Sequence, residues 1–222
     1  MIRILSAGTA TAAASLLLAG TTAPSSATEP FTPPPPGRIT ISVATVNGSG
    51  CRPGSAAVSV APDNTAFTIT YSEYLAQAGG SSKPADSRKN CQIALRVNVP
   101  QGYTYAIASA DYRGFASLGH RATGIQQAGY YFQGYPQTYR MTHAFSGPLT
   151  DNWQASDQVE VEALVFAPCG AQRNFNINTE LRTATRNGSA DPVSFMAMDS
   201  TDGSINTVYQ FAWKTCPPQT SS

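Results

Sequence analysis

The sequence predicts an all-β fold, an antiparallel β-sandwich of the jelly-roll or immunoglobulin-like kind that is stapled by disulfides. Three observations lead to this prediction: runs of alternating apolar and polar residues, turns containing Gly or Pro at nearly every junction, and four cysteines. From Ile93 to Val99 every second residue is apolar, which is typical of a strand with one buried face. No run keeps helical spacing and no repeat of fixed period occurs, so an all-β sandwich or barrel is favoured.

Residues 1–27 are typical of a secretory signal peptide. Arg3 precedes an apolar run, and small residues lead to Ala27, where we expect cleavage, with Ala23 as the alternative site. The run is shorter than the roughly 20 apolar residues that a membrane-spanning helix needs. We therefore expect a secreted, extracellular protein without a membrane association after cleavage.

The rest of the chain is predicted to be one domain with short extensions. Residues 28–38 contain four consecutive prolines, which favour an extended spacer. The folded domain is expected at residues 39–217, and a flexible tail at 218–222. Cleavage after Ala27 leaves 222 − 27 = 195 residues, which is within the usual range for a single domain.

The expected mature chain is close to neutral. Its 14 basic residues become 13 without Arg3 and then equal the 13 acidic ones. Binding to nucleic acid or to an anionic membrane depends on an excess or a cluster of positive charge, and neither is visible in the sequence. We expect a monomer without nucleic-acid partners.

Two disulfides are predicted from Cys51, Cys91, Cys169 and Cys216, because exported chains keep an even number of cysteines paired. We favour Cys51–Cys91 and Cys169–Cys216, since each pair brackets two neighbouring stretches of strand. The other two connectivities stay open from sequence alone. No CxxC pair occurs, so zinc is not expected, and nothing in the sequence points to another metal or to a cofactor.

Turn signals divide the domain into its expected elements. Strands are predicted at residues 39–46, 56–61, 66–74, 92–99, 103–112, 124–132, 138–145, 158–166, 174–185, 193–198 and 206–215. We expect a hairpin turn at Pro100-Gln101-Gly102, a long loop over residues 76–90, and another hairpin turn at Asp202-Gly203.

Several motifs of this chain resemble those of a known family. They are Gly50-Cys51 with Pro53-Gly54, Ser87 to Cys91, Pro100-Gln101-Gly102, Asp111 to Gly114, and Tyr130-Tyr131-Phe132. Over residues 39–217 the chain is similar to an uncharacterised secreted family, the domain-of-unknown-function family 4360. The resemblance implies an exported domain that contains cysteines, and it implies no activity or ligand.

The aromatic residues from Tyr130 to Tyr135, with Tyr139, are the best candidates for ligand binding. Flat rings with a polar tip suit contact with sugar rings or with a protein. Strand alternation assigns Tyr130 and Phe132 to one face, expected to be core, and Tyr131 to the other. The binding prediction therefore rests on Tyr131 and Tyr135.

Two charged stretches are further binding candidates. Arg88 and Lys89 suit contact with an anionic group or a partner protein, although a solvated loop over residues 86–90 explains them as well. Asp111 and Arg113 share one face of a predicted strand, where they either pair with each other or bind a ligand.

No recognisable catalytic set occurs in the sequence. Glu160 and Glu162 are two residues apart, at a separation that glycosidase carboxylates can have, but a solvent-facing strand explains this spacing equally. His143 is expected to be a hydrogen-bonded, partly buried residue of a strand, and His120 to lie in a loop. The GxSxG nucleophile motif is absent, so an enzymatic role is not favoured.

These observations favour an extracellular binding or interaction module for a polysaccharide, a surface or a protein. One alternative is a secreted hydrolase, in which Asp86, Asp111, Glu160 or His120 would converge in a cleft. The other is a secreted protease inhibitor or effector, which would present one long, exposed loop braced by a disulfide.

Overall fold

The computed structural model describes residues 31–135, 139–198 and 206–218, and at Tyr139 it describes the backbone only. The expected signal peptide, the Asp202-Gly203 turn and tail residues 219–222 lie outside these ranges. The described strands are β1 Thr40–Asn47, β2 Ala56–Val60, β3 Ala66–Tyr71, β4 Leu75–Ala78, β5 Arg88–Asn98, β6 Tyr103–Leu118, β7 Thr123–Phe132, β8 Tyr139–Ser146, β9 Leu149–Gln158, β10 Phe175–Ala184, β11 Ser194–Ala197 and β12 Thr207–Thr215. Three 3-10 turns occupy Pro84–Asp86, Val161–Ala163 and Gly188–Ala190. Within the described ranges, no helix has the length and apolar character to cross a membrane.

The strands form two antiparallel sheets that pack against each other, which confirms the predicted β-sandwich. Sheet A has the order β1-β5-β10-β7-β8, and sheet B has the order β2-β3-β12-β6-β11-β4. Strand β9 pairs with β6 on the side opposite β12, since both pair with residues 109–112 of β6. The long strand β6 therefore holds sheet B together.

The core between the sheets is rich in aromatic rings. Phe67 of β3 stacks on Tyr209 of β12 with ring centroids 4.8 Å apart, and Tyr105 of β6 meets Phe132 of β7 edge-to-face at 5.4 Å. All four rings are at most 2% exposed. Full burial of an apolar side chain contributes about 1.5–3 kcal/mol, so ring packing is a main source of attraction between the sheets.

The turn at Pro100-Gln101-Gly102 corrects the hairpin prediction. Strand β5 belongs to sheet A and β6 to sheet B, so this turn carries the chain from one sheet to the other. Gly102 has a φ of 85°, which glycine adopts without steric cost. Similar turn residues serve a hairpin and a corner between sheets, which is why the sequence did not distinguish them.

The predicted loop over residues 76–90 was too long. It contains most of β4, a 3-10 turn and the first residues of β5. Strand β4 was missed because it is short and its residues Leu75 to Ala78 show no clear alternation between apolar and polar side chains.

The predicted strand at residues 158–166 was also wrong. Strand β9 ends at Gln158, and a 3-10 turn follows, so Glu160 and Glu162 do not share a strand face. The stretch still follows β6, since the amides of Val159 and Ala167 donate to the carbonyls of Ala108 and Tyr105. Strand β9 itself was missed because its outward residues are polar and few of its inward residues are large and apolar.

Both disulfides join the pairs that the sequence analysis favoured. Cys51–Cys91 connects the turn before β2 to β5, with Cα atoms 5.3 Å apart. Cys169–Cys216 connects the loop after β9 to the residue after β12, with Cα atoms 5.8 Å apart. No cysteine is left free.

Part of the expected spacer packs on the domain. The side-chain amide of Asn64 donates to the carbonyls of Pro35 and Gly37 at 3.0 and 2.8 Å, and Trp213 Nε1 donates to the Asn64 carbonyl at 3.0 Å. Asn64 is buried and has a φ of 58°, a conformation that asparagine tolerates better than most residues. The compact unit accordingly includes the chain from Phe31 onward.

We expect Asn64→Ala to lower the free energy of unfolding by about 2–4 kcal/mol, because it leaves buried carbonyls without donors and places a Cβ-bearing, non-Asn residue at positive φ. Asn64→Gly is the control, because it removes the side-chain amide but adopts a positive φ without strain. It should therefore lower the free energy of unfolding less than Asn64→Ala does. Urea unfolding measures both, and limited proteolysis before residue 39 should accelerate in each. Equal urea midpoints for the wild type and Asn64→Ala would contradict this account.

Candidate functional site

The outer face of sheet A is the candidate functional site, and we call it the polar face. Alternation along each strand turns one set of side chains to the core and the other set to the outside. The outward set of the four strands β5, β10, β7 and β8 is mostly polar. It consists of Arg88, Asn90, Gln92, Ala94, Arg96, Asn98, Asn176, Asn178, Glu180, Arg182, Ala184, Thr123, Ile125, Gln127, Gly129, Tyr131, Arg140, Thr142, Ala144 and Ser146.

One row of this face crosses all five strands of sheet A, and we call it the central row. Strand register places its members side by side: Asn47, Gln92, Asn178, Gly129 and Arg140. Neighbouring strands lie about 4.8 Å apart, so a row across five strands is about 19 Å long. The central row is therefore a continuous polar track at right angles to the strands.

A depression of about 290 Å³ lies on the central row, and we call it the notch. Gly129, which carries no side chain, lines the notch between Asn178 of β10 and Arg140 of β8. The next row of the face borders the notch with Glu180 and Gln127, which are paired in register. Amide, carboxylate and guanidinium groups thus surround one small opening.

Tyr131 borders the central row on its other side. It follows Gly129 by two residues on the same face of β7, and Gln92 Nε2 of β5 donates to its hydroxyl at 3.4 Å. Because β10 lies between β7 and β5, this hydrogen bond spans a whole strand. The side chain of Tyr131 therefore leans across the polar face.

Glu180 holds two arginines at the edge of the notch. Arg88 Nε donates to Glu180 Oε2 at 2.7 Å, and Arg182 Nε donates to Oε1. Burial alone would raise the pKa of Glu180, but the hydrogen bonds from Arg88 and Arg182 outweigh it and lower the pKa below its ordinary value. The same hydrogen bond raises the pKa of Arg88. The side chains of Arg88 and Arg182 remain 64% and 49% exposed, so both guanidinium groups still face solvent.

Arg140 lies on the opposite side of the notch. It is exposed, and within the described part of the chain no carboxylate pairs with it. Its charge is therefore available to a molecule in the notch.

The structure brings two of the predicted binding residues onto one face. Tyr131 and Arg88 both lie on the polar face, and Tyr130 and Phe132 are core residues as alternation predicted. Tyr135 lies in the turn after β7, where it is 36% exposed and off the face. The side chain of Tyr139 is outside the described part.

The other three predicted binding residues lie elsewhere. Lys89 points away from the polar face, since it alternates with Arg88, and its Nζ pairs with Asp86 at 2.9 Å. Asp111 and Arg113 are on β6, on the outer face of sheet B. No ion pair joins them, and Asp111 accepts a hydrogen bond from Ser156 of the neighbouring strand β9.

Sequence reasoning missed most of the notch. Gln127, Asn178 and Arg140 are ordinary polar residues of strands, and Gly129 looks like any glycine of the chain. Their outward orientation could have been found from alternation. Their meeting depends on the order in which strands pair, which the sequence does not display.

A second polar cluster is buried between the sheets. Asp157 of β9 is fully buried and accepts hydrogen bonds from Tyr112 at 3.0 Å, Tyr130 at 2.5 Å and His143 Nε2 at 2.7 Å. Burial raises the pKa of Tyr130, and the neighbouring Tyr209 and Asp157 raise it further. His143 is partly buried and hydrogen-bonded, as expected. The cluster joins β7 and β8 of sheet A to β6 and β9 of sheet B, which is a structural role.

The residues that a hydrolase would require do not converge. Asp86 is in the 3-10 turn before β5, Asp111 on the face of sheet B, Glu160 after β9, and His120 between β6 and β7. No hydrogen bond or ion pair joins any two of these residues. Among the described residues, no three His, Cys, Asp or Glu side chains form a group that could hold a metal ion.

A larger cleft of about 630 Å³ lies at the end of the sandwich, beside the Cys169–Cys216 disulfide. Its walls are the turn between β5 and β6, residues 167–173, and residues 216–218. Arg173 is the one charged side chain among its lining residues, and the others are apolar or neutral. The chain continues from its wall into residues 219–222, which lie outside the described part, so we base no site on this cleft.

Comparisons with known proteins point to one family. The chain matches the model of a family described as a domain of unknown function (DUF4360) over residues 37–216. It is 30% identical over 183 residues to an Arthroderma benhamiae protein named as an uncharacterized secreted protein, and the match covers 82% of this chain and 74% of the relative.

A solved structure with some likeness is the enzymatically active domain of bacteriophage CBA120 tailspike protein 4. The TM-score is 0.22 at 9% identity, and the match covers 80% of this chain. This chain spans 19% of the tailspike chain. A likeness of this size informs neither the fold nor the function.

We expect Asp157→Ala to lower the free energy of unfolding by about 3–5 kcal/mol, because it leaves three donors around a buried site without their acceptor. Tyr112→Phe is the milder comparison, since it removes one donor and keeps the ring, and about 1–2 kcal/mol is expected. Urea unfolding measures both. An Asp157→Ala protein as stable as the wild type would show that the cluster does not hold the sheets together.

The lowered pKa of Glu180 predicts a pH-dependent effect of Glu180→Gln. The carboxylate stabilises the fold above its unfolded-state pKa of 4.5, and this contribution is lost as the pH falls through the lower folded-state value. Glu180→Gln should therefore unfold at lower urea than the wild type at about pH 7, with the difference shrinking towards about pH 2.5. Exposed Glu160 is the control, since Glu160→Gln should change little at either pH. A difference that is the same at both pH values would contradict the ion-pair account.

Proposed function

The chain belongs to the family described as a domain of unknown function (DUF4360), and we propose that it acts outside the cell as a binding module whose ligand surface is the polar face. The notch is the observation that carries this proposal. It is the place where amide side chains, a carboxylate and a guanidinium group that pairs with no carboxylate of the described residues surround one depression, with the Tyr131 side chain beside it.

The chemistry of this surface suits a ligand rich in hydroxyl groups. Gln92, Gln127 and Asn178 each offer an amide that both donates and accepts hydrogen bonds. The Tyr131 ring offers a flat apolar surface beside them, against which a sugar ring can pack. A few polar groups around such a surface are what fixes the orientation of a bound ligand.

The scaffold supports binding because two of the candidate groups are held in place before a ligand arrives. The notch and the Tyr131 side chain are carried by paired strands rather than loops, and Glu180 and Gln92 already hold Arg88 and Tyr131 by hydrogen bonds. Groups held in place lose little conformational entropy on binding. The length of the central row suits a polymer that runs across the strands.

A second candidate function, a secreted inhibitor or effector, is favoured by one observation. Residues 159–174 form a long connection between β9 and β10, largely exposed, and Cys169 braces it to Cys216. A braced, exposed loop suits insertion into the groove of a partner protein. Inhibition of a panel of secreted proteases that is lost when Glu160 and Glu162 are both replaced by Ala would favour this function over the first.

We expect the wild type to be retained by at least one insoluble polysaccharide and Tyr131→Ala to be retained about tenfold less, because it loses a ring contact with the sugar. Tyr135→Ala is the matched control, an exposed tyrosine off the polar face, and its retention should equal that of the wild type. Pull-down with depletion of the supernatant measures all three, and thermal unfolding verifies that each is folded. No retention on any polysaccharide, or equal retention of the two variants, would count against the proposal.

A further inference from the structure

We infer that the ligand of the polar face is an acidic polysaccharide whose sugar units carry carboxylates, an inference that rests on the proposed function. The first observation is charge. The polar face carries four arginines, Arg88, Arg96, Arg140 and Arg182, against the single carboxylate of Glu180. Its formal charge is therefore 4 − 1 = +3.

The rest of the described chain is balanced. Residues 31–135, 139–198 and 206–218 contain 13 Lys and Arg and 10 Asp and Glu, and without the polar face 13 − 4 = 9 and 10 − 1 = 9 remain. All the net positive charge of the described part is thus on one side of one sheet. The sequence alone shows no such excess, because the four arginines are spread over 182 − 88 = 94 positions of the chain and share a face only through strand pairing.

The second observation is that this surface already binds a carboxylate of its own. Arg88 and Arg182 hold Glu180 on one side of the notch, and Arg140 offers the same group on the other side without a carboxylate partner among the described residues. Guanidinium groups match carboxylates in geometry and form charge-assisted hydrogen bonds with them. A ligand carboxylate on Arg140 would place the sugar hydroxyls near Gln127 and Asn178.

The third observation concerns charge density. Duplex nucleic acid carries one negative charge per roughly 1.7 Å, or about 11 charges along the 19 Å of the central row. A net charge of +3 with Glu180 in the middle of the face is a poor match for that density. It fits a polymer with one carboxylate per sugar unit or fewer, and this favours an acidic polysaccharide over nucleic acid.

The position of the notch on an open sheet face favours a polymer over a small molecule. Its volume of about 290 Å³ is at the lower end of the range for pockets that enclose a small ligand, about 300–1,000 Å³, and it opens onto the polar face. One unit of a chain can enter it while neighbouring units lie along the central row. Binding therefore extends over several strands.

The test compares two polymers that share a backbone and differ in charge: polygalacturonate, with free carboxylates, and highly methyl-esterified pectin, in which most are blocked. Affinity electrophoresis with wild type, Arg140→Gln and Arg113→Gln measures the dissociation constants. Arg113 is the matched control, an exposed arginine of a strand on the outer face of sheet B. Thermal unfolding verifies that each variant is folded.

We expect polygalacturonate to bind the wild type at least about tenfold more tightly than the esterified polymer, and Arg140→Gln to lose about tenfold in affinity, as for the loss of a charge-assisted hydrogen bond. Arg113→Gln should bind like the wild type. Sodium chloride raised from about 50 to about 500 mM should weaken binding several-fold.

Two results would overturn the inference and leave the proposed function standing. One is equal binding of the esterified and free polymers, and the other is retention by neutral polysaccharides alone. In both cases the binding must be lost in Tyr131→Ala. Equally tight binding of dextran sulfate or duplex DNA would also overturn it, because it would indicate attraction to any dense negative charge. No binding to any polysaccharide would overturn both.

Discussion

The register of β10 between β5 and β7 is the constraint on which the candidate site depends. Its inward residues, such as Ile177 and Leu181, are buried in the core, while Asn178 and Glu180 face outward between them. Because side chains alternate along a strand, a slip of one residue would exchange the two sets and expose the core. Hydrophobic burial on one side of the sheet therefore fixes the positions of the polar groups on the other.

The buried cluster around Asp157 keeps the two sheets aligned with each other. Apolar packing is non-directional, so it alone tolerates sliding of one sheet over the other. Asp157 of sheet B binds Tyr130 and His143 of sheet A through directional hydrogen bonds. Since a buried carboxylate without its donors is costly, the cluster specifies one arrangement, and the polar face is held on a sheet that cannot shift.

Much of the fold followed from local patterns, while the site did not. The alternation from Ile93 to Val99 was enough to place the second half of β5 and its buried face, and the even number of cysteines pointed to two disulfides. The crossing at Gly102 was missed because turn residues do not reveal which strand the chain will join. Arg88 and Tyr131 were recognised by chemistry, but Arg140 and Gly129 acquire meaning only from neighbours that are distant in sequence. Pairing order is a property of the whole chain, and single-strand patterns do not contain it.

The packing of the proline-rich segment, residues 32–38, on the domain affects how the domain can be joined to other proteins. The amide of Thr32 donates to the carbonyl of Trp213 at 2.9 Å, so the first and last parts of the described chain run beside each other at one end of the sandwich. A short peptide could join these two parts, and new chain ends could be opened in a surface turn. The product would be a circular permutant. If the polar face binds as proposed, tandem copies linked through this end would carry several polar faces on one chain, and multivalency raises avidity without any new contact.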